Sequence, residues 1–225
     1  MPPTALDTIA LFADLPEPER SALAQTLHRR RYAKGQVIVE EQGEGGALFV
    51  IESGRVKVSL AGADGREITL ATLAGGDFFG EMAVLDGQPR SATCTALDDT
   101  TLLVGSREAF RTTLEANPQM AINLLSIMSR RLRLANDLIE SLSFLDVQGR
   151  VARMLLEAAE RDGEETTEGV AIPLPYTRQE LANLVGTSRE TLTRVLKNFE
   201  RLGYLKLQRR RALIVNEPRL RLKMQ

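Results

Sequence analysis

The sequence predicts an α+β chain in three consecutive parts: a strand-rich N-terminal region, one long helix, and a winged helix-turn-helix. Three observations lead there. Residues 1–116 hold short β-rich runs separated by glycine turns. Residues from about Pro118 to Leu145 keep an uninterrupted helical period. Residues 177–215 set two capping-box patterns on either side of Gly186 and follow them with two apolar runs.

The N-terminal region opens with a short helix, Pro18 to Leu27. Strands follow at Gln36-Val37-Ile38-Val39, Leu48-Phe49-Val50-Ile51, Val56-Lys57-Val58 and Ile68-Thr69-Leu70. Their β-branched and aromatic content suits a half-buried pleated surface. Turns are marked by Glu44-Gly45-Gly46, Ser53-Gly54, Ala63-Asp64-Gly65 and Gly75-Gly76-Asp77. Asp-Gly between two strands is a hairpin signal, because both residues tolerate positive φ. Strands at roughly ten-residue spacing with such turns indicate a sandwich or barrel.

The long helix carries apolar residues at Ala121, Leu125, Met128, Leu132, Ala135, Ile139 and Leu142. The spacing alternates between four and three, an a/d seam. Its outer face is polar, with Arg130, Arg131, Arg133, Asn136, Asp137 and Glu140. A parallel homodimer seam accounts for this pattern; packing on the helix's own domain is the alternative.

A second domain begins at Asp146, whose carboxylate is placed to cap the helix opening at Val147. The acidic, glycine-containing stretch Arg161 to Val170 reads as a loop. Two helices follow, Arg178 to Val185 and Arg189 to Leu202, opened by Thr177-x-x-Glu180 and Thr187-x-x-Glu190. The wing is expected at Tyr204–Leu207 and Ala212–Val215, with Gln208-Arg209-Arg210-Arg211 between.

The net charge of -1 hides an asymmetry. From Thr177 to Gln225 there are 12 Lys+Arg against 4 Asp+Glu, and elsewhere 17 against 26. A basic C-terminal part on an acidic body suits a polyanion partner, or a merely solvated basic face. The single cysteine, Cys94, and single histidine, His28, are too few for a disulfide framework, a cysteine-held cluster or a His/Cys zinc site. They also leave no Ser/His/Asp or Cys/His set, and no Walker or dinucleotide motif occurs, so no enzyme is expected. No apolar run reaches the ~20 residues that span a bilayer. The first twenty residues carry acids where a secretion signal is basic, so the expected compartment is the cytoplasm.

Three segments carry a resemblance. Phe79-Gly80-Glu81-Met82-Ala83-Val84 with Pro89-Arg90-Ser91-Ala92-Thr93 is similar to the phosphate-binding cassette of cyclic-nucleotide sensors. Phe144-Leu145-Asp146-Val147-x-Gly149-Arg150 is similar to an interdomain hinge. Thr177-Arg178-Gln179-Glu180-Leu181-Ala182-x-Leu184-Val185-Gly186-x-Ser188-Arg189-Glu190-Thr191 is similar to a DNA-reading unit. Together, and in this order, they resemble the cyclic-AMP receptor protein/FNR-type (CRP/FNR) transcription regulators over nearly the whole chain. The resemblance implies a β-roll (jelly-roll) cyclic-nucleotide-binding domain at 1–116, a dimerisation helix at 117–145 and a winged helix-turn-helix DNA-binding domain at 146–225.

It also implies site residues. Arg189, Glu190 and Arg194 would read a half-site related to TGTGA: arginine forks match guanine O6 and N7, and a carboxylate suits the cytosine N4 amine. Glu190 could instead be only the last residue of its capping box, and Arg194 only a phosphate contact. Thr177, Gln179, Ser188, Thr191 and Lys197 would position the protein on the backbone, with Arg210 of the wing contacting phosphate. In the cassette, Gly80 allows close approach, Glu81 accepts from a ribose hydroxyl, Arg90 meets a cyclic phosphate, and Ser91 adds a hydroxyl. Met82 and Arg131 complete that set, and Val58, Leu70 and Leu73 would line its apolar part. Without the resemblance, Glu81 and Arg90 read as a plain salt bridge.

Cyclic-AMP receptors place Thr-Ser on the long helix to hold the adenine. Here the pair is Ala135-Asn136, and only Asn136 can make a polar contact. Cyclic AMP is the leading effector; another effector, a cyclic dinucleotide among them, or none stays open. No metal, haem or iron–sulfur cluster is expected. The implied partners are double-stranded DNA, a second copy of the chain and RNA polymerase, the last through the 161–175 segment. A cyclic-nucleotide-binding module of a signalling assembly is the competing class.

Overall fold

A computed structural model describes residue 6 and residues 9–224. Chain contacts divide it into two units. The first gathers residues up to 60 with 70–134, and the second gathers 61–69 with 135 onward.

After a 3-10 turn at Ala10–Phe12, the first unit carries helix α1 (Glu17–Thr26). Eight strands follow: β1 (His28–Tyr32), β2 (Val37–Val39), β3 (Ala47–Ser53), β4 (Arg55–Ala61), β5 (Glu67–Ala74), β6 (Phe78–Phe79), β7 (Thr93–Ala96) and β8 (Thr100–Ser106). One sheet has the order β1-β8-β3-β6 and the other β2-β7-β4-β5. The two-sheet β architecture is the one the strand runs and glycine turns predict. β1, β7 and β8 had no clear signature. His28-Arg29-Arg30-Arg31-Tyr32 is polar and exposed along most of its length, and it is a strand because β8 offers it a row of partners, His28 opposite Val104 through Tyr32 opposite Thr100. Arginines on such an edge discourage pairing with another chain.

Helix α2 (Glu81–Asp86) sits between β6 and β7, and α3 (Arg107–Ala116) leads into α4 (Pro118–Phe144). The early part of α4 buries Met120 and Leu124 in the core formed with Phe12, Leu48, Val50 and Phe110. The predicted seam lies largely off that face: Leu125, Leu132 and Ile139 are 66%, 63% and 62% exposed. Ala121 and Met128 are the half-buried seam members.

The second unit contains α5 (Val147–Asp162), β9 (Glu164–Thr166), β10 (Gly169–Pro173), α6 (Arg178–Leu184), α7 (Arg189–Arg201), β11 (Leu205–Gln208), β12 (Arg211–Ile214) and α8 (Glu217–Arg221). Its core joins Val151, Leu155, Ile172, Leu192, Leu196, Phe199 and Ile214, all buried. Asp146 caps α5 as expected, accepting from Gly149 N–H at 2.7 Å. The stretch 161–170 is not a loop: β9 and β10 pair antiparallel within the sheet β11-β12-β10-β9. Its acidic, apolar-poor sequence is that of an exposed edge strand, with all three β9 residues exposed. The wing turn is also tighter than expected, two residues rather than four, because Gln208 pairs with Arg211.

Arg150 of the hinge motif has a structural role the motif did not reveal. Its guanidinium donates to the carbonyls of Leu145 (2.8 Å), Val185 (2.8 Å) and Gly186 (3.3 Å). It thereby ties the end of α4 to the turn after α6, where carbonyls lack helical partners.

Candidate functional site

In the first unit, the site is built around two buried opposite charges, Glu81 and Arg90, each only 4% exposed. Glu81 opens α2 directly after Gly80, whose φ of +84° favours glycine. A Cβ on Gly80 would stand 2.5 Å from Arg90 Nη1 and 2.9 Å from the Ala47 carbonyl oxygen. The backbone of Arg90 is fixed by Gln42 N–H donating to its carbonyl and by its own N–H donating to Gly43 O. Its side chain donates from Nη1 to Gly80 O (3.0 Å) and from Nη2 to Ala47 O (2.9 Å).

Arg90 and Glu81 are therefore not simply a salt bridge. Glu81 Oε1 instead accepts from Arg131 Nη1 of α4 at 3.0 Å. Arg131 Nη2 donates to Phe78 O, with its guanidinium 4.7 Å from the Phe78 ring centroid. Two polar atoms in this site are buried without a hydrogen-bond partner: Glu81 Oε2 and Arg90 Nε. Each such atom costs about 1–3 kcal/mol. The chemistry matches a ligand that brings both a hydroxyl to donate and an anionic oxygen to accept.

Burial lowers the affinity of Arg90 for its proton, and the nearby Glu81 carboxylate opposes that. Burial also pushes the Cys94 thiol up to about 12, so this side chain stays a neutral thiol among the apolar residues. That apolar cluster includes Phe49, Leu73 and Phe79 and is flanked by Val58; Phe49 and Phe79 stack at 4.9 Å.

The structure thus brings together Gly80, Glu81, Arg90 and Arg131, with Val58 and Leu73 in the adjoining cluster. Ser91 and Met82 are exposed neighbours, Ser91 Oγ lying 3.6 Å from Met82 Sδ. Leu70 is 41% exposed and lies outside the cluster. Asn136 is exposed on α4 and belongs to the second unit. The carbonyls of Ala47, Phe78 and Gly80 were illegible beforehand, because a backbone oxygen has no sequence signature.

In the second unit, α6, the turn and α7 form the helix-turn-helix. The first capping box is complete: Thr177 Oγ1 accepts from Glu180 N–H, and the Glu180 carboxylate accepts from Thr177 N–H. The second box is not formed. Ser188 caps α7, its Oγ accepting from Thr191 N–H at 3.2 Å. Gly186 takes φ +64°, and Thr187 N–H donates to Ala182 O, which leaves Thr187 in the turn. Glu190 is accordingly released from the capping role that the pattern allowed it.

Helix α7 buries Leu192, Val195, Leu196 and Phe199 and exposes Arg189, Glu190, Arg194 and Lys197 on its other side. Gln179 is exposed, and its amide donates to Asn183 Oδ1 at 2.8 Å. Gln148 and Asn198, unremarkable in sequence, line an open depression together with Thr191 and Arg194. Arg210 stands in the wing turn. The exposed face of α7 offers the cationic donors of Arg189, Arg194 and Lys197 and the carboxylate acceptor of Glu190, groups whose chemistry matches base edges.

Among the described residues no helix is long and apolar enough to cross a membrane, and no group of three or more His, Cys, Asp or Glu is placed to hold a metal ion.

Comparison with known proteins is consistent across the chain. The Cyclic nucleotide-binding domain family matches residues 29–117, and the Crp-like helix-turn-helix domain family matches residues 149–222. The chain is 34% identical over 200 residues to the CRP-like cAMP-activated global transcriptional regulator of Mycobacterium tuberculosis, covering 89% of each. A CooA mutant from Carboxydothermus hydrogenoformans superposes with a TM-score of 0.81 at 28% identity, over 97% of both chains. The c-di-GMP responsive global regulator CLP of Xanthomonas campestris gives a TM-score of 0.77 at 28% identity, over 88% of this chain and 99% of that one.

Proposed function

The chain belongs to the CRP/FNR family of transcription regulators, and from that premise we propose that it is a homodimer switched by cyclic AMP that reads TGTGA-like half-sites. Its parts are a cyclic-nucleotide-binding domain at 1–116, a dimerisation helix at 117–145 and a DNA-binding domain at 146–225.

One observation carries the effector reading: the buried, unpartnered Glu81 Oε2 and Arg90 Nε in one site. A cyclic nucleotide satisfies both, the ribose hydroxyl donating to Glu81 and a phosphate oxygen accepting from Arg90. Ser91 adds a hydroxyl, and Arg131 holds the far oxygen of Glu81. In this reading Val58 and Leu73 supply the apolar wall, Met82 and the exposed Leu70 add apolar surface, and the family resemblance assigns Asn136 to the purine. Arg131 couples the pocket to α4, so ligand binding favours one pairing of two α4 helices over another. The hinge at 144–146 then sets the two α7 helices in successive major grooves, ~34 Å apart.

At the DNA, Arg189 and Arg194 read guanine and Glu190 reads cytosine. Thr177, Gln179, Ser188, Thr191 and Lys197 position the domain on the backbone, and Arg210 brings the wing to the DNA. RNA polymerase is the further partner, and the cytoplasm the compartment.

A second reading rests on Ala135, which offers no polar atom where a hydroxyl would hold the base. The Xanthomonas neighbour is named as responsive to c-di-GMP, and a different cyclic nucleotide or dinucleotide fits the same orphaned pair. Calorimetry with cyclic AMP, cyclic GMP and c-di-GMP separates the two. Saturable cyclic AMP heat that Arg90→Ala abolishes supports the first reading. Saturation by c-di-GMP alone supports the second, and no heat from any of them defeats both. Selection of bound DNA from a random pool, with and without cyclic AMP, then reports the half-site and the ligand requirement together.

A further inference from the structure

The wing tip is the remaining feature in the second unit whose geometry is unusual. β11 and β12 are joined by Arg209-Arg210 alone. Arg210 adopts φ +59°, one of two non-glycine residues with positive φ among those described. A side chain with a Cβ is disfavoured there, and Gly or Asn would fit without strain. The conformation is nonetheless held on three sides. Gln208 pairs with Arg211 across the turn, and Leu174 N–H, following β10, donates to Arg210 O at 2.8 Å. At the base of the wing, Leu207 N–H donates to Glu200 Oε1 of α7 at 2.9 Å, which braces the hairpin on the reading helix. A strained residue kept in place by its surroundings is a marker of function.

The charges around the turn are unequal. Arg211 pairs with Glu164 at 3.0 Å, and Lys206 pairs with Glu168. Both neutralising carboxylates come from the β9–β10 hairpin. Among the described residues, Arg209 and Arg210 meet no carboxylate, and both are exposed. The sheet therefore carries neutralised cations on its flank and two bare guanidiniums at its tip.

We infer that this tip enters the minor groove beside each half-site and reads its width, so that Arg209 and Arg210 give the protein a preference for A·T-rich flanks. A narrow A-tract groove concentrates negative potential and attracts arginine inserted into it. A rigid two-arginine turn is suited to that narrow slot, whereas a plain phosphate contact needs neither the strain nor the bracing. The inference rests on the proposed DNA reading by α7 and extends it from the half-site to the flanking base pairs.

The test uses the full-length protein with its effector and one half-site pair in three flanking contexts: A-tracts, mixed G·C, and inosine·cytosine. Inosine lacks the minor-groove amine of guanine but keeps its major-groove edge, so it isolates the minor groove. The expected result is several-fold tighter binding with A-tract and inosine·cytosine flanks than with G·C. Arg209→Ala with Arg210→Gly should remove that preference; glycine at 210 favours the same turn, so the wing stays folded. Affinity that falls equally on all three flanks makes the tip a phosphate contact and overturns the inference, as does an unaltered preference. Arg189→Ala on the same DNA serves as the control for the underlying reading. It should abolish discrimination between correct and altered half-sites while leaving the flank preference intact. If it does not change half-site discrimination, the α7 reading fails, whatever the flanks report.

Discussion

Replacing Leu132 by Asp tests the proposed dimer at the point where folding and association are most separable. Leu132 is 63% exposed on α4, and Leu125 and Ile139 are exposed alike, each two turns away along the seam on either side. A chain folded alone gains little from it. Fully burying a leucine is worth about 1.5–3 kcal/mol, so covering the part still exposed is worth roughly 1–2 kcal/mol. A two-fold interface counts the residue twice, giving roughly 2–4 kcal/mol for the dimer. At 1.36 kcal/mol per tenfold change, the dissociation constant should rise by about 30- to 900-fold, before any cost of burying a carboxylate. Sedimentation equilibrium over a concentration series measures this, and far-ultraviolet circular dichroism with a thermal melt of the monomer checks the fold. The expected variant is a folded monomer that no longer binds a palindromic site. An unchanged dimer constant would refute the seam, and an unfolded variant would show that Leu132 belongs to the core of its own chain.

Glu190→Gln should leave the melting temperature unaltered, since Ser188 caps α7, but flatten discrimination at one base pair by about 1–3 kcal/mol. Ser188→Ala should do the reverse in stability, costing about 1 kcal/mol in a chemical-denaturation titration. Arg150→Met should destabilise the second unit by at least ~1.5–3 kcal/mol, because three carbonyls lose a charged donor; a loss within the error of the denaturation curve would remove its tying role. Cys94 is protonated in the folded chain well above the ordinary thiol range. Its contribution to stability is therefore complete below that range and fades as the pH rises toward about 12. Iodoacetamide at pH 8 should label the thiol only after denaturant is added; labelling of the folded protein would contradict its burial.

The legible parts of this protein were those governed by local rules. The seam of α4 is a period of 3.5, and a period needs no knowledge of the rest of the chain. The caps at Asp146 and Thr177 were legible for the same reason: a carboxylate or hydroxyl three residues before a free N–H meets it whenever a helix forms. The pattern at Thr187-x-x-Glu190 misled because it competed with Ser188-x-x-Thr191 one residue along. The winner is set by the positive φ of Gly186 and by Thr187 N–H reaching back to Ala182 O, neither of which a four-residue pattern contains. The acidic 161–170 stretch misled in a different way, since β9 exists through pairing with β10, and β10 through pairing with β12, forty residues on.

The sequence by itself determined the α+β class, the long helix, the basic C-terminal part, and the three motifs that carry the family resemblance. Each of these is a matter of residue type and short spacing. Only the tertiary structure decided that Arg90 grips the carbonyls of Gly80 and Ala47, that Glu81 pairs with Arg131, and that one atom of each is left buried and unmatched. It alone freed Glu190 and strained Arg210. The physical reason is common to all of these. Hydrogen bonds to backbone carbonyls and the choice of partner for a buried charge depend on where distant segments lie, and residue spacing along the chain does not encode that distance.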